Sequence, residues 1–156
     1  MAERLSTGFV NAKNVTGSTK AILDGGTIHI YSGAQPATAD AAETGTLLMK
    51  LTKDGAEHTP GNTTNGIVLG TSTDGVLSKN GDTVSGVGLA AAGTGTTAGW
   101  FRWYDKDVTT GVSTTAIRID GAIGNSTSYE MYMSNPVIVE DFPATVNTAT
   151  YTSKKV

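Results

Sequence analysis

The chain reads as an all-β protein, a single-domain β-sandwich of jelly-roll-like character with extended N- and C-terminal arms. Three observations predict this. About eight to ten short apolar or alternating runs recur, with turn signals at roughly ten-residue spacing. Thr and Gly supply 26 and 20 of the 156 residues, and these favour strands and turns respectively. Asp-Gly and Asn-Gly pairs punctuate the runs, as tight β-turns require.

Residues 1 to 26 read as an N-terminal arm. Phe9, Val10 and Val15 are scattered among polar residues without a sustained period. Within the arm, Ser18 can cap a short helix through Leu23, with Gly25 at its C-terminal end. Residues 27 to 144 form the sandwich domain. Ile28 and Ile30 alternate with Thr27, His29 and Tyr31. After the Ser32-Gly33 turn comes an Ala-rich loop with room for a helical turn, then an apolar run from Thr46 to Leu51. Lys53-Asp-Gly55 and Asp74-Gly75 mark turns, and Gly66 to Leu69 is a short buried-strand candidate.

Val76 to Val84 reads as a hairpin closed by Asn80-Gly81, two residues that tolerate the positive φ of a type I′ turn. Gly86 to Gly99 is poor in large side chains and is either a loop or a strand pressed against another backbone. Trp100 to Tyr104 is the strongest strand: Phe101 and Trp103 point one way, Trp100, Arg102 and Tyr104 the other. Both faces are bulky, which suits a central strand or an interface. Ala116 to Asp120 alternates with Ile117 and Ile119 inward, and Asp120-Gly121 turns the chain. Two further runs, Glu130 to Met133 and Pro136 to Val139, are divided at Asn135-Pro136. Residues 145 to 156 are a final polar strand or an arm.

Composition narrows the function. There is no cysteine, so no disulfide framework, Cys-zinc site or thiol nucleophile. A formal charge of -3 argues against a general nucleic-acid binder, which carries a basic stripe. No run approaches the roughly 20 apolar residues that span a bilayer, and Met1 to Ser6 lacks a basic region followed by an apolar core. The expectation is a protein made in the cytoplasm, with neither nucleic acid nor membrane as partner.

Catalytic motifs are wanting. There is no Gly-x-Ser-x-Gly elbow, and Gly66-Ile-Val-Leu-Gly-Thr-Ser72 lacks the Gly-Lys-Ser/Thr ending of a phosphate loop. Asp105 and Asp107 flank Lys106 and are too few for calcium; a solvated turn is the simpler reading. His29 and His58 can supply half a metal site with a carboxylate, but no zinc-ligand spacing surrounds them, and they read as unrelated surface or rim residues. No catalytic residue, metal or cofactor is expected.

The aromatic strand has three readings: core packing, a protein interface, where Trp, Tyr and Arg dominate the binding energy, or a platform for sugar rings. Alternation favours a division, with Phe101 and Trp103 in the core and Trp100, Arg102 and Tyr104 partly at an interface.

The stretch Ile28-His-Ile-Tyr-Ser-Gly-Ala-Gln-Pro-Ala-Thr-Ala-Asp-Ala-Ala-Glu-Thr-Gly-Thr-Leu-Leu48 resembles a family of small structural proteins of tailed bacteriophages. The likeness continues more loosely through Gly99-Trp-Phe-Arg-Trp-Tyr104 and Ile119-Asp-Gly121. It implies a virion component and carries no catalytic motif. The leading expectation is a non-enzymatic cement or decoration protein on the capsid surface. It would bridge capsomers, with the major capsid protein and copies of itself, as dimer or trimer, for partners. The alternatives are a tail, neck or baseplate component, and a carbohydrate-binding module at the host surface. The residues expected at the protein interface are Phe9, Val10, Val15, Trp100, Arg102, Tyr104, Lys154 and Lys155.

Overall fold

Among the described residues the strand signals resolve into twelve strands, paired antiparallel with one exception. The computed structural model describes residues 3–152. In chain order the elements are β1 (Arg4–Leu5), α1 (Thr7–Val15), α2 (Thr19–Leu23), β2 (Thr27–Ser32), β3 (Leu47–Lys53), β4 (Leu69–Thr73), β5 (Val76–Lys79) and β6 (Val84–Val87). A 3-10 turn (Ala90–Ala92) leads to β7 (Thr96–Tyr104) and β8 (Arg118–Gly124). Then come β9 (Met131–Tyr132), β10 (Val137–Ile138), β11 (Pro143–Val146) and β12 (Thr150–Thr152).

Two unequal sheets result. The larger has nine strands along the path β1-β8-β7-β2-β3-β6-β11, with β10 beside β7 and β9 beside β8; the smaller is β12-β5-β4. The core draws Ile28, Ile30, Phe101, Trp103 and Ile119 from the large sheet and Leu69, Leu77 and Tyr151 from the small one. This is the expected all-β, sandwich-like single domain. Strand periodicity explains it: Ile28 lies opposite Trp103 and Ile30 opposite Phe101, so one parity of β2 and β7 faces inward together.

The N-terminal segment is not an arm. β1 pairs with β8, and the Phe9 side chain is fully buried in the core. Ser6 caps α1, its Oγ accepting from Phe9 N at 3.1 Å while donating to Ala116 O at 2.8 Å. Gly8 lets the helix approach closely, since a Cβ there would meet Thr115 O at 2.3 Å. α2 follows the expectation, with Ser18 Oγ accepting from Ala21 N at 3.2 Å. At the other end, β12 pairs with β5 through Tyr151 opposite Leu77, so residues 150–152 are a strand. The Ala-rich loop after β2 contains no helix.

Two turn readings are corrected. Asn80-Gly81 does not close a hairpin, because β5 belongs to the small sheet and β6 to the large one. Asn80 instead holds a corner between sheets: its Oδ1 accepts from Asp82 N and its Nδ2 donates to Asp82 Oδ2, both at 2.9 Å. The two-residue hairpin lies at Asp74-Gly75, with φ of 52° and 81° and Thr73 opposite Val76. Asp120-Gly121 does not turn the chain either, since β8 runs on to Gly124. The Gly86–Gly99 stretch realises close backbone approach, and a Cβ at Gly88 would stand 1.9 Å from Val139 O.

Candidate functional site

The outer face of β7 is where the sequence places its interface residues. Trp100, Arg102 and Tyr104 all point there, yet each is fully buried. The cover is the chain itself: the loop 33–46 folds over them, flanked by the loop 105–117. Arg102 lies opposite Asp120 across β7 and β8, so both side chains share a face. The guanidinium grips the carboxylate with two bonds, Nε to Oδ1 at 2.6 Å and Nη2 to Oδ2 at 2.7 Å. Its Nη1 reaches the loop, donating to Glu43 Oε1 at 2.8 Å and Ala41 O at 3.1 Å.

Glu43 extends the network. It also accepts from the Tyr104 hydroxyl at 2.7 Å and from Gly111 N at 2.9 Å. Tyr31 and Tyr104 share a hydroxyl contact at 3.1 Å, Tyr31 stacks on Trp100 at 4.5 Å, and Trp100 Nε1 donates to Thr44 O at 3.2 Å. Arg118, two residues before Asp120 on the same face, spends its donors on loop carbonyls: Thr109 O at 2.7 Å, Ala39 O at 3.3 Å and Ala41 O at 3.4 Å.

Burial opposes charge throughout this cluster, and hydrogen bonding decides the outcome. Burial works against the Arg102 cation, but the Asp120 bonds and charge outweigh it and raise its pKa. Burial would raise Glu43; the bonds from Gly111 and Tyr104, with the Arg102 charge, hold it below the usual carboxylate range. Burial pushes Asp120 up against the pull of Arg102 and Arg118. For Arg118, burial and the neighbouring Arg102 cation lower the pKa. Such a charge-assisted network ties loop to sheet. Its chemistry is that of a lock.

The expected interface residues therefore separate. Phe9, Trp100, Arg102 and Tyr104 are buried within one chain and cannot offer a surface; the partner for the aromatic face is the chain's own 33–46 loop. Val10 and Val15 are exposed on α1, at 44% and 87%. Lys154 and Lys155 lie outside the described residues. Sequence reasoning missed Glu43, Arg118 and Asp120. One signal was present: Arg118 and Asp120 share the parity opposite to Ile117 and Ile119. The stretches 28–48, 99–104 and 119–121 meet here, in β2, the 33–46 loop, β3, β7 and β8.

The two histidines are not unrelated surface residues. Both line a pocket of about 240 Å³ together with Thr27, Lys50 and Glu57. His29 is buried, and burial, aided by the Lys50 charge, lowers its pKa to about 3. His58 Nε2 contacts Lys106 O at 3.0 Å, so that nitrogen carries the proton. Among the described residues no group of three His, Cys, Asp or Glu side chains is placed to hold a metal ion.

A pH prediction follows from His29. Above its ordinary pKa of 6.5 both folded and unfolded forms are neutral and the group is silent. Between 6.5 and about 3 the unfolded chain takes up a proton that the native site refuses. Stability then falls with falling pH by up to about 1.4 kcal/mol per unit from this group. Urea unfolding at pH 7, 6 and 5 is expected to show a shallower decline for His29→Gln than for the unaltered chain. Parallel declines would count against it.

At the far edge of the large sheet, apolar side chains stand in water. Val87 is 52% and Phe142 67% exposed, and exposed Pro143 lies opposite Val87 on the edge strand β11. The chain matches no family model, no curated protein and no solved structure. Its class is thus defined by its own architecture: an all-β, sandwich-like domain with a charge-locked outer face and an apolar sheet edge.

Proposed function

We propose that this protein is a non-enzymatic structural component of a tailed-phage virion, binding the outside of the assembled capsid and bridging capsomers. The family likeness of residues 28–48 motivates the reading. The observation that carries it is the edge formed by Val87, Phe142 and Pro143, where apolar area borders the outer strand of a sheet. Apolar patches and unpaired strand edges are surfaces that associate with other chains. A domain that binds only the assembled shell stabilises that state by mass action. The locked loops support the same role, since a rigid body loses little conformational freedom on docking. The partners in this reading are the major capsid protein and copies of the chain itself around a local symmetry axis.

Copy number in purified virions, measured by quantitative mass spectrometry against the major capsid protein, tests the reading. A ratio near one, or a simple fraction of it, is expected. A handful of copies per particle would move the protein to tail, neck or baseplate, and absence would overturn a virion role altogether. A residue-level test uses Phe142→Asp. Because Phe142 is mostly exposed, the domain is expected to keep its stability while affinity for empty shells falls at least about tenfold, or 1.4 kcal/mol. Unchanged shell binding would remove this edge from the interface.

A further inference from the structure

The sequence contains two Asn-Gly pairs, Asn65-Gly66 and Asn80-Gly81. Such a pair is the least hindered setting for attack of a backbone nitrogen on the preceding side-chain amide, because glycine places no Cβ beside the nucleophile. The structure treats the two pairs differently. Gly66 is buried, its N donates to Thr63 O at 3.1 Å, and a Cβ there would stand 1.9 Å from Gly25 O. Asn65 has a φ of 65°, and its Nδ2 donates to Glu57 O at 2.9 Å. Gly81, by contrast, is exposed, and its N has no acceptor among the described residues. A Cβ at Gly81 would meet nothing within 4 Å.

The surroundings of Asn80 favour the attack. Asp82 N donates to Asn80 Oδ1 at 2.9 Å. That bond closes a ring containing both Asn80 Cγ and Gly81 N, and it polarises the carbonyl on which an oxyanion develops. Asp82 Oδ2 accepts from Asn80 Nδ2 at 2.9 Å, so a carboxylate stands beside the nitrogen that gains a proton as it leaves. Lys79 Nζ donates to Asn80 O at 3.2 Å. This oxygen belongs to the peptide group of Gly81 N, and the ammonium beside it makes that N–H more acidic.

We propose that Asn80 is a site of spontaneous conversion to aspartate and isoaspartate through a succinimide, and that the conversion ages the joint between the two sheets. Hydroxide removes the Gly81 N proton, and the nitrogen attacks Asn80 Cγ. The N–Cγ bond forms, the Cγ–Nδ2 bond breaks, and ammonia leaves with a proton from water. Water then opens the imide. Breaking the new N–Cγ bond gives aspartate; breaking the original peptide bond gives isoaspartate. Either product sets a carboxylate against Asp82, which already holds Lys53 Nζ at 2.9 Å. Isoaspartate also lengthens the main chain between β5 and β6. The same joint carries the bonds from Lys79 N to Ala149 O and from Asn80 N to Val68 O, so a change there reaches the small sheet. The inference is independent of capsid binding.

The test incubates the full chain at 37 °C and pH 8, followed by peptide mapping and isoaspartyl methyltransferase labelling. Conversion at Asn80 is expected to be at least about tenfold faster than at Asn65, where the Gly66 hydrogen bond and close packing raise the barrier. In guanidinium chloride the two pairs are expected to react at similar rates; unequal rates there would assign the difference to local sequence and overturn the structural argument. Gly81→Ala fits the open space without a left-handed φ. It is expected to slow Asn80 at least about tenfold while the domain stays folded. In the converted chain, amides of β5 are expected to exchange faster while β2 and β7 remain protected. Four results would each overturn the modification site: Asn80 intact in the native chain when the unfolded chain has converted it, Asn65 reacting as fast as Asn80 in the native chain, aspartate without isoaspartate, or equal conversion in Gly81→Ala. Unchanged exchange of β5 after conversion would overturn the ageing of the joint. The comparison of the two pairs needs no variant, so the proposal stays testable even where a substitution fails to fold.

Discussion

Asp120→Ala is expected to cost about 3–5 kcal/mol of folding stability, the range seen when one partner of a buried ion pair is removed. Arg102 and Asp120 are both fully buried, so solvent screens neither. Removing the carboxylate leaves a guanidinium that has lost two charge-assisted bonds and keeps only Glu43 and Ala41 O. Against a total stability of about 5–15 kcal/mol for a domain of ordinary size, the loss is large. Urea unfolding measures it, and a loss below about 1 kcal/mol would mean that the pair is not a buried lock. The double variant Arg102→Met with Asp120→Leu is the informative control. Apolar replacement of both partners is expected to recover much of the loss, because the cost comes from the orphaned charge. Amide hydrogen exchange adds the dynamic side. In Asp120→Ala the 33–46 loop is expected to exchange faster while β2 and β3 remain protected.

Phe9→Ala is expected to destabilise the protein by about 3–5 kcal/mol, the usual cost of truncating a buried aromatic to Ala. Phe9 packs on Tyr151 with ring centroids 6.0 Å apart, and Lys13 Nζ sits 5.3 Å from the Tyr151 ring. α1 therefore fastens the last strand to the body of the domain. Deleting residues 1 to 17 also removes β1 and the Ser6 bonds to Ala116 and Arg118. The truncated chain is expected to lose cooperative unfolding by circular dichroism. A true arm would behave oppositely, leaving a folded domain with weakened shell binding, so the same deletion decides between the two pictures.

Strands with strong alternation were legible without the structure. β2, β7 and the first half of β8 declare their inward parity through Ile28, Ile30, Phe101, Trp103 and Ile119, because one face of a strand is apolar when it packs on a core. α1 was not legible. Thr7 to Val15 has no apolar stripe, and its helix depends on the Ser6 cap and on one large buried side chain, Phe9, beside the buried Gly8. The lock was half legible. Arg102 stands out in its strand, but an arginine beside tryptophans reads equally as a binding hot spot. Asp120 before a glycine reads as a turn, and only the continuation of β8 shows it to be a strand residue facing Arg102.

The sequence by itself determined the all-β class, the main strands, the parity of their side chains and the turn at Asp74-Gly75. These depend on local periodicity and on the conformational freedom of Gly and Asp, which act within a few residues. Only the tertiary structure decided that the Arg102 face is covered by the chain's own loop, that Asn80-Gly81 joins two sheets, that the two histidines share a pocket and that Phe9 of α1 and Tyr151 of β12 belong to the core. Those outcomes rest on partners far apart in sequence. Arg102 meets Asp120 across 18 residues and Glu43 across 59. Which distant acid answers a buried cation is settled when the sheets close over it and remove the competing water.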